Sequence, residues 1–282
     1  MYYIEEVDKL CNRFRKSFPK VRLKENVISI EGLCENEKKS IKIAKKIDKI
    51  LKKTNSNKIV LSNKVKQNEV LKNMLYTYEY DIADGKWLFE GLSTKILDYI
   101  IEKKNIKKEE CRLSILVNDL RDYTVQNIKE MAKEYKSLNI VTNHMEKFKK
   151  IEETIFEEDG IIITISNNKK KALTKSNIIL NIDFPNELIN KYNINDEAII
   201  IDIHGNVRIK KKRFNGIIIN NFKANINTEI IDSSIIKSLE KYNINEIYES
   251  TFYKKITYID FKKKLKKDKC EIVRLYSING II

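Results

Sequence analysis

The chain has 282 residues, 42% hydrophobic and 34% charged, the balance of a folded protein and not of a disordered one. Its 55 Lys and Arg against 40 Asp and Glu leave a formal net charge of +15, which speaks for non-specific attraction to polyanions and not for any one function. No run approaches about 18 uninterrupted apolar residues, so no membrane span is expected, and residues Met1 to Lys20 lack the apolar core of a signal peptide.

Two further features of composition bear on the charge and the compartment. Lys, Asn and Ile are heavily used while Gly and Pro number only 7 and 2, a bias that A/T-rich codons of a low-GC genome produce without selection for charge. Basic excess spread over helix faces is then ordinary solvated surface. The four cysteines, Cys11, Cys34, Cys111 and Cys270, are far apart and lack the paired spacing of a zinc site or a disulfide framework. They read as reduced thiols of a cytoplasmic protein.

In chain order, the first expectation is a helix whose stripe is Ile4, Val7, Leu10, Cys11 and Phe14, followed by a strand Val27–Ile30. A long helix from about Glu35 to Lys53 carries Ile41, Ile43, Ala44, Ile47, Ile50 and Leu51 at helical spacing, with Lys on its other face. Next come a strand Lys58–Ser62, a helix near Asn68–Tyr78 and a short strand Tyr80–Ala83. The alternation predicts a small N-terminal α/β domain over residues 1–86. Asp84-Gly85-Lys86 turns the chain into an apolar helix from Trp87 to about Lys104, expected to link two domains across residues 87–110. Trp87, an amphipathic ring opening that helix, suits a packing anchor.

From Arg112 onward one phrase recurs: a short β-branched run, then a polar or helical stretch. The runs are Leu113–Val117, Asn139–Thr142, Ile161–Ile165, Ile178–Ile182, Ala198–Ile203 and Gly216–Ile219. Strands apolar on both faces belong in a parallel sheet covered by helices on each side, so residues 111–225 are expected to form one doubly wound α/β domain with a mainly parallel sheet. Thr124 suits an N-cap for Val125–Tyr135, Gly160 a stop for the helix Met145–Glu158, and Pro185 the first turn of Asn186–Tyr192. Residues 226–282 are expected to pack back on the domains, with a helix over Glu229–Tyr242, a basic stretch Lys262–Lys269, and terminal strands near Glu271–Leu275 and Ile278–Ile282.

Two stretches of the repeating half carry a resemblance. Asn139-Ile140-Val141-Thr142-Asn143-His144-Met145-Glu146-Lys147-Phe148 leads into a helix, and Ala172-Leu173-Thr174-Lys175-Ser176-Asn177-Ile178-Ile179-Leu180-Asn181 leads into a strand. Over residues 112 to 220 this resembles the NAD(P)-binding Rossmann domain of the shikimate dehydrogenase and glutamyl-tRNA reductase group. There an Asn-Arg-Ser/Thr tripeptide ends the second strand and an Ala-Leu-x-x-Ala-Asp-Ile-Val-Ile-Asn phrase enters the fourth. The resemblance implies a Rossmann-like fold and a nicotinamide cofactor. Its glycine-rich phosphate turn is lost: this chain reads Val117-Asn118-Asp119-Leu120-Arg121-Asp122-Tyr123, with no glycine and two carboxylates that oppose a pyrophosphate. The cofactor-selecting Arg is replaced by His144. NADP or NAD is therefore not expected to bind tightly. Cys11-Asn12-Arg13 echoes the nucleophile motif of the tRNA reductases, but a three-residue match is cheap and stands on the wrong element.

In doubly wound sheets ligands bind outside the carboxyl ends of the strands. The polar residues placed there are Asn118, Asp119, Thr142, Asn143, His144, Ser166, Asn167, Asn168, Asp183, Asp202 and His204; the competing reading is that they only end strands and cap helices. No catalytic triad, P-loop or metal-ligand cluster is visible. The function expected is a cytoplasmic Rossmann-like protein, a degenerate dinucleotide-binding domain that takes an unknown small ligand or protein partner in an interdomain cleft. Whether catalysis persists is left open, as is a homodimer. The alternatives are an active NAD(P)-dependent oxidoreductase with an atypical phosphate loop, and a nucleic-acid-associated basic protein. The latter would use Lys169-Lys170-Lys171, Lys210-Lys211-Lys212-Arg213 and Lys262–Lys269 beside Phe214, Phe222, Tyr253, Tyr258 and Phe261; only non-specific nucleic-acid binding is expected.

Overall fold

The computed structural model describes residues 1–7, 19–33, 36–54, 56–252, 256–278 and 280–282. They form two compact units, each made of two chain passages. The first holds Met1–Gly85 and Ile226–Ile256, the second Lys86–Asn225 and Thr257–Ile282.

The first unit is built on strands β1 (Tyr2–Glu6), β2 (Lys20–Lys24), β3 (Val27–Glu31), β4 (Lys58–Leu61) and β5 (Asp81–Ile82), with helices α1 (Glu37–Leu51), α2 (Asn63–Lys66) and α3 (Glu69–Thr77). The sheet order is β2-β3-β1-β4-β5, parallel except for the antiparallel edge strand β2. The helix expected at the start of the chain is a strand over its described part. Tyr3, Ile4 and Glu5 are buried in succession, because β1 lies between β3 and β4 and both its faces are covered. Leu10, Cys11 and Phe14, with the Cys11-Asn12-Arg13 motif, lie outside the described residues. Asn36 caps α1 by accepting from the Lys39 N–H at 3.1 Å, and Ile43, Ala44, Ile47 and Leu51 bury one stripe of it. The second passage completes the unit's core. Ile231, Ile235, Tyr242 and Ile247 pack with Tyr3, Val60 and Ala83, and the Tyr242 ring meets Tyr3 edge-on at 5.7 Å. The helix expected over Glu229–Tyr242 is instead a 3-10 turn Thr228–Ile230 and a 3-10 stretch Ser233–Lys241 that is itself broken by a kink at Ser238.

The second unit opens with α4 (Lys86–Gly91) and α5 (Ser93–Lys104), two helices where one linking helix is expected. Then follow β6 (Arg112–Leu116), α6 (Asp122–Glu134), β7 (Ser137–Val141), α7 (Met145–Asp159), β8 (Thr164–Ser166), β9 (Ile178–Asn181), α8 (Asn186–Ile189), β10 (Ile199–Asp202) and β11 (Ile217–Asn225). A helix Tyr258–Lys267 and strands β12 (Glu271–Ser277) and β13 (Gly280–Ile281) close the chain. The sheet order is β13-β12-β11-β10-β9-β6-β7-β8. The six strands from β8 to β11 are all parallel, and β12 and β13 add antiparallel at one side. Counted from β6, the parallel order is 3-2-1-4-5-6, the doubly wound Rossmann arrangement. The expected mainly parallel α/β sheet is therefore present, with β8 shorter than Ile161–Ile165: as the edge strand it leaves Ile162 76% exposed.

Local signals behave unevenly. Gly160 ends α7 in the left-handed region at φ 67°, and Pro185 stands at the N-cap of α8, which is only four residues long. Thr124 does not cap α6; that helix starts earlier, at Asp122, and Thr124 is buried inside it. Trp87 is a packing anchor, its ring 5.1 Å from Tyr123 and 4.9 Å from Phe261. The lysines of the helix Tyr258–Lys267 point several ways around it. Lys262 pairs with Glu130, Lys263 with Asp260 and Lys264 with Asp268, while Lys266 and Lys267 are exposed. Of the aromatics beside the basic runs, Phe222 and Phe261 are buried and Tyr253 lies outside the described residues. Among the described residues no helix is long and apolar enough to cross a membrane.

Cys111 and Cys270 are buried and free, and burial pushes each thiol up to about 11. Both thiols are raised above the unfolded value of about 8.5. Their contribution to stability is thus full below that pH and lost as pH rises through about 11. At pH 7.5 both should resist alkylation until the unit unfolds, so peptide-resolved mass spectrometry of iodoacetamide-treated protein should find them modified no faster than global unfolding. Rapid native labelling at either site would contradict this burial.

Candidate functional site

The order reversal in the larger sheet falls between β6 and β9, so the crevice where such folds bind ligands opens beyond Leu116 and Asn181. The segment after β6 is where a Rossmann domain offers backbone amides to a pyrophosphate. Here those amides have an internal acceptor. The Asn118 N–H donates to Asp183 Oδ1 at 2.8 Å and Oδ2 at 3.0 Å, and the Asp119 N–H donates to Oδ2 at 2.7 Å. Asp183 follows β9, and the neighbouring of β6 and β9 alone brings it across. Burial raises its carboxyl above the ordinary range, opposed by the two amides and by Arg121.

A second carboxylate lies close by. Glu90, on α4, is only 2% exposed. Its Oε2 accepts from Arg121 Nη2 at 2.6 Å, its Oε1 from Thr124 Oγ1 at 2.6 Å, and its backbone carbonyl from Asn127 Nδ2 at 2.8 Å. Burial raises the Glu90 carboxyl; Arg121 and Thr124 hold it back, and Asp183 pushes it up further. Glu90, Asp183 and Arg121 thus form one electrostatically linked cluster, two desolvated carboxylates sharing one half-exposed guanidinium.

At the end of β7, Asn118 Oδ1 accepts from the Asn143 N–H at 2.9 Å and lies 3.5 Å from Thr142 Oγ1, which in turn accepts from the His144 N–H at 3.1 Å. Asn118, Asp119, Thr142, Asn143, His144 and Asp183 are therefore brought together. At the end of β8 the Asn168 N–H donates to Ser166 Oγ at 3.1 Å, and Asn167 is exposed. Asp202 is fully buried and bound up in structure: Oδ1 accepts from Asn181 Nδ2 at 2.9 Å and Oδ2 from the Val207 N–H at 2.8 Å. His204 is exposed. Among the described residues no group of three His, Cys, Asp or Glu side chains could hold a metal ion.

Sequence reasoning missed Glu90, Arg121 and Thr124. The signal available was one carboxylate inside the otherwise apolar run Trp87-Leu88-Phe89-Glu90-Gly91-Leu92, a charge that needs a buried partner.

No protein-family model matches the chain, and no curated protein matches it. Among solved structures, a shikimate 5-dehydrogenase-like protein matches 42% of this chain at 13% identity and a TM-score of 0.23, over 41% of its own length. A candidate aspartate carbamoyltransferase from Trypanosoma cruzi matches 71% of this chain and 68% of its own, at 12% identity and a TM-score of 0.27. The chain spans about two-fifths of the dehydrogenase-like protein, and scores of this size carry no argument about activity; the chain is α/β, with a Rossmann-like sheet, on the evidence of its own topology.

Proposed function

We propose that the second unit is a degenerate dinucleotide-binding domain whose pyrophosphate seat is filled from within by Asp183, and whose carboxyl edge takes a small ligand that carries no pyrophosphate. The observation that carries this reading is the pair of amide donors, Asn118 and Asp119, both spent on Asp183. A phosphate arriving there would have to displace a carboxylate and face Asp119 and Asp122 as well. With the Asp183 carboxylate at this edge and Glu90 tied to it through Arg121, the edge favours a neutral or cationic ligand, held by the side chains of Asn143 and His144. Desolvated carboxylates beside such a crevice support a working site.

The test pairs titration with a substitution. Calorimetry should find NADP(H) and NAD(H) binding weaker than low micromolar; a tighter constant would return an active dehydrogenase to first place. In Asp183→Ala the two amides are released, and pyrophosphate at 100 times its dissociation constant should then stabilise the variant by about 2.7 kcal/mol. The parent protein should show no such gain. Equal stabilisation of both would mean that Asp183 does not occupy the anion seat.

A further inference from the structure

The connection from β8 to β9, residues 167–177, runs as turns where a doubly wound sheet ordinarily places a helix, and is tied down by a bridge between Leu173 and Ile194. It leaves a cavity of about 560 Å³ over β6, β7 and β8, a size ordinary for small-molecule sites. The first residues of all three strands, Arg112, Ser137 and Thr164, line it. It therefore runs from the amino ends of these three strands to Ser166 and Asn168 at the end of β8, and neither Asp183 nor its partners Asn118 and Asp119 line it.

Its floor is chemically odd for an interior sheet. Central parallel strands are apolar on both faces, yet Ser114 on β6 and Asn139 on β7 stand in one register row with Thr164 of the edge strand β8, and all three line the cavity. Asn139 Nδ2 donates to the Ala172 carbonyl at 3.0 Å and to Ser114 Oγ at 3.3 Å, and Ser114 Oγ shares a 2.7 Å hydrogen bond with Ser176 Oγ. A carbonyl only accepts, so Ala172 decides which end of the amide faces it. That leaves Asn139 Oδ1 buried with no donor among the described residues, a desolvated acceptor whose hydrogen bond is unmade. Around this row stand Arg112, Lys171 and Lys175, all exposed, and no Asp or Glu lines the cavity.

We propose that this cavity is a second binding site, for a phosphorylated sugar. The three cations match a phosphate group, and the Ser114–Asn139–Thr164 row matches hydroxyls. A sugar hydroxyl can supply the donor that Asn139 Oδ1 lacks once the side chain turns from Ala172 to bring that atom to the cavity; a phosphate dianion, which only accepts, cannot. The ligand must therefore carry both groups.

Isothermal titration with ribose 5-phosphate, ribose and inorganic phosphate tests this directly. Ribose 5-phosphate should bind, with ribose and phosphate each at least tenfold weaker. Lys171→Glu with Lys175→Glu, both on exposed side chains, should weaken ribose 5-phosphate at least tenfold without loss of fold. Asn139→Ala should weaken it about fivefold while leaving phosphate affinity unchanged. No binding at millimolar concentration, equal binding of bare phosphate, or indifference to the double charge reversal would each overturn the proposal. Asp183→Ala should leave this binding intact; its loss there would place the ligand at the carboxyl edge and overturn the second site, whereas failure of the carboxyl-edge reading leaves this one standing.

Discussion

Replacing Gly216 by Ala is expected to destabilise the second unit by about 3 kcal/mol, at the upper end of ordinary overpacking. A methyl group built there would lie 2.1 Å from the Ala198 carbonyl oxygen and 2.6 Å from the Phe214 ring. The ring is the far end of a side chain and can swing aside. The carbonyl cannot, because it is backbone, and it accepts the Ile217 N–H at 3.2 Å, the bond that opens the β10–β11 pairing. The clash therefore falls on the ladder itself, and relief requires the strands to part. In a unit of this size the loss corresponds to a fall in melting temperature of roughly 6–12 °C. A double variant, Gly216→Ala with Phe214→Ala, separates the two contacts. If most of the loss survives removal of the ring, the carbonyl is the cause; recovery to the stability of Phe214→Ala alone would show that the ladder tolerates the methyl.

Asp202→Ala is expected to cost about as much, by a different route. Both oxygens of Asp202 accept hydrogen bonds inside the core, and truncation strands the Val207 N–H and one hydrogen of the Asn181 amide. Each unsatisfied buried donor costs about 1–3 kcal/mol, so roughly 3 kcal/mol together is a moderate expectation. Asn181 cannot simply turn around, since its own Oδ1 accepts from the Phe184 N–H at 2.9 Å and its Nδ2 also serves the Phe184 carbonyl at 3.0 Å. Asp202→Asn should recover less than half of the loss, because it turns one acceptor into a donor aimed at another donor. Urea unfolding of the three proteins decides the matter: an Asn variant as stable as the parent would show that the site needs only shape.

Much of the larger sheet can be read from residues alone, because solid runs such as Ile178-Ile179-Leu180 and Ile199-Ile200-Ile201 have no amphipathic alternative, and a two-sided apolar strand implies a covered parallel sheet. The start of the chain misleads because Ile4 and Val7 satisfy a helical stripe as well as a strand. Only their neighbours β3 and β4, which come later, choose between the two. β2 escapes notice for a related reason: Lys-Val-Arg-Leu-Lys is an edge strand, mostly exposed, with little apolar content to announce it. At the carboxyl edge the polar residues can be listed by strand ends, but what they do depends on which strands are neighbours. Asp183 and Asn118 are 65 positions apart and meet only because the strand order places β9 beside β6. Asp202 carries the same sequence signature as Asp183 and is instead a buried clip, a distinction that depth in the fold makes and residue type does not.

The course of the chain through its two units has a consequence during synthesis. The strands of the first unit are complete by Ile82, yet the residues that cover Tyr3, Val60 and Ala83 lie in the passage Ile226–Ile256. A ribosome adding about 5–20 residues per second needs roughly 10–30 s to make the intervening and closing stretch of about 170 residues. Throughout that interval the earliest-made sheet waits with an apolar face uncovered while the later-numbered unit is still being threaded out. The unit begun first still closes first, at Ile256 against Ile282, but only after most of the second unit has been made, so each unit waits on a late passage of chain.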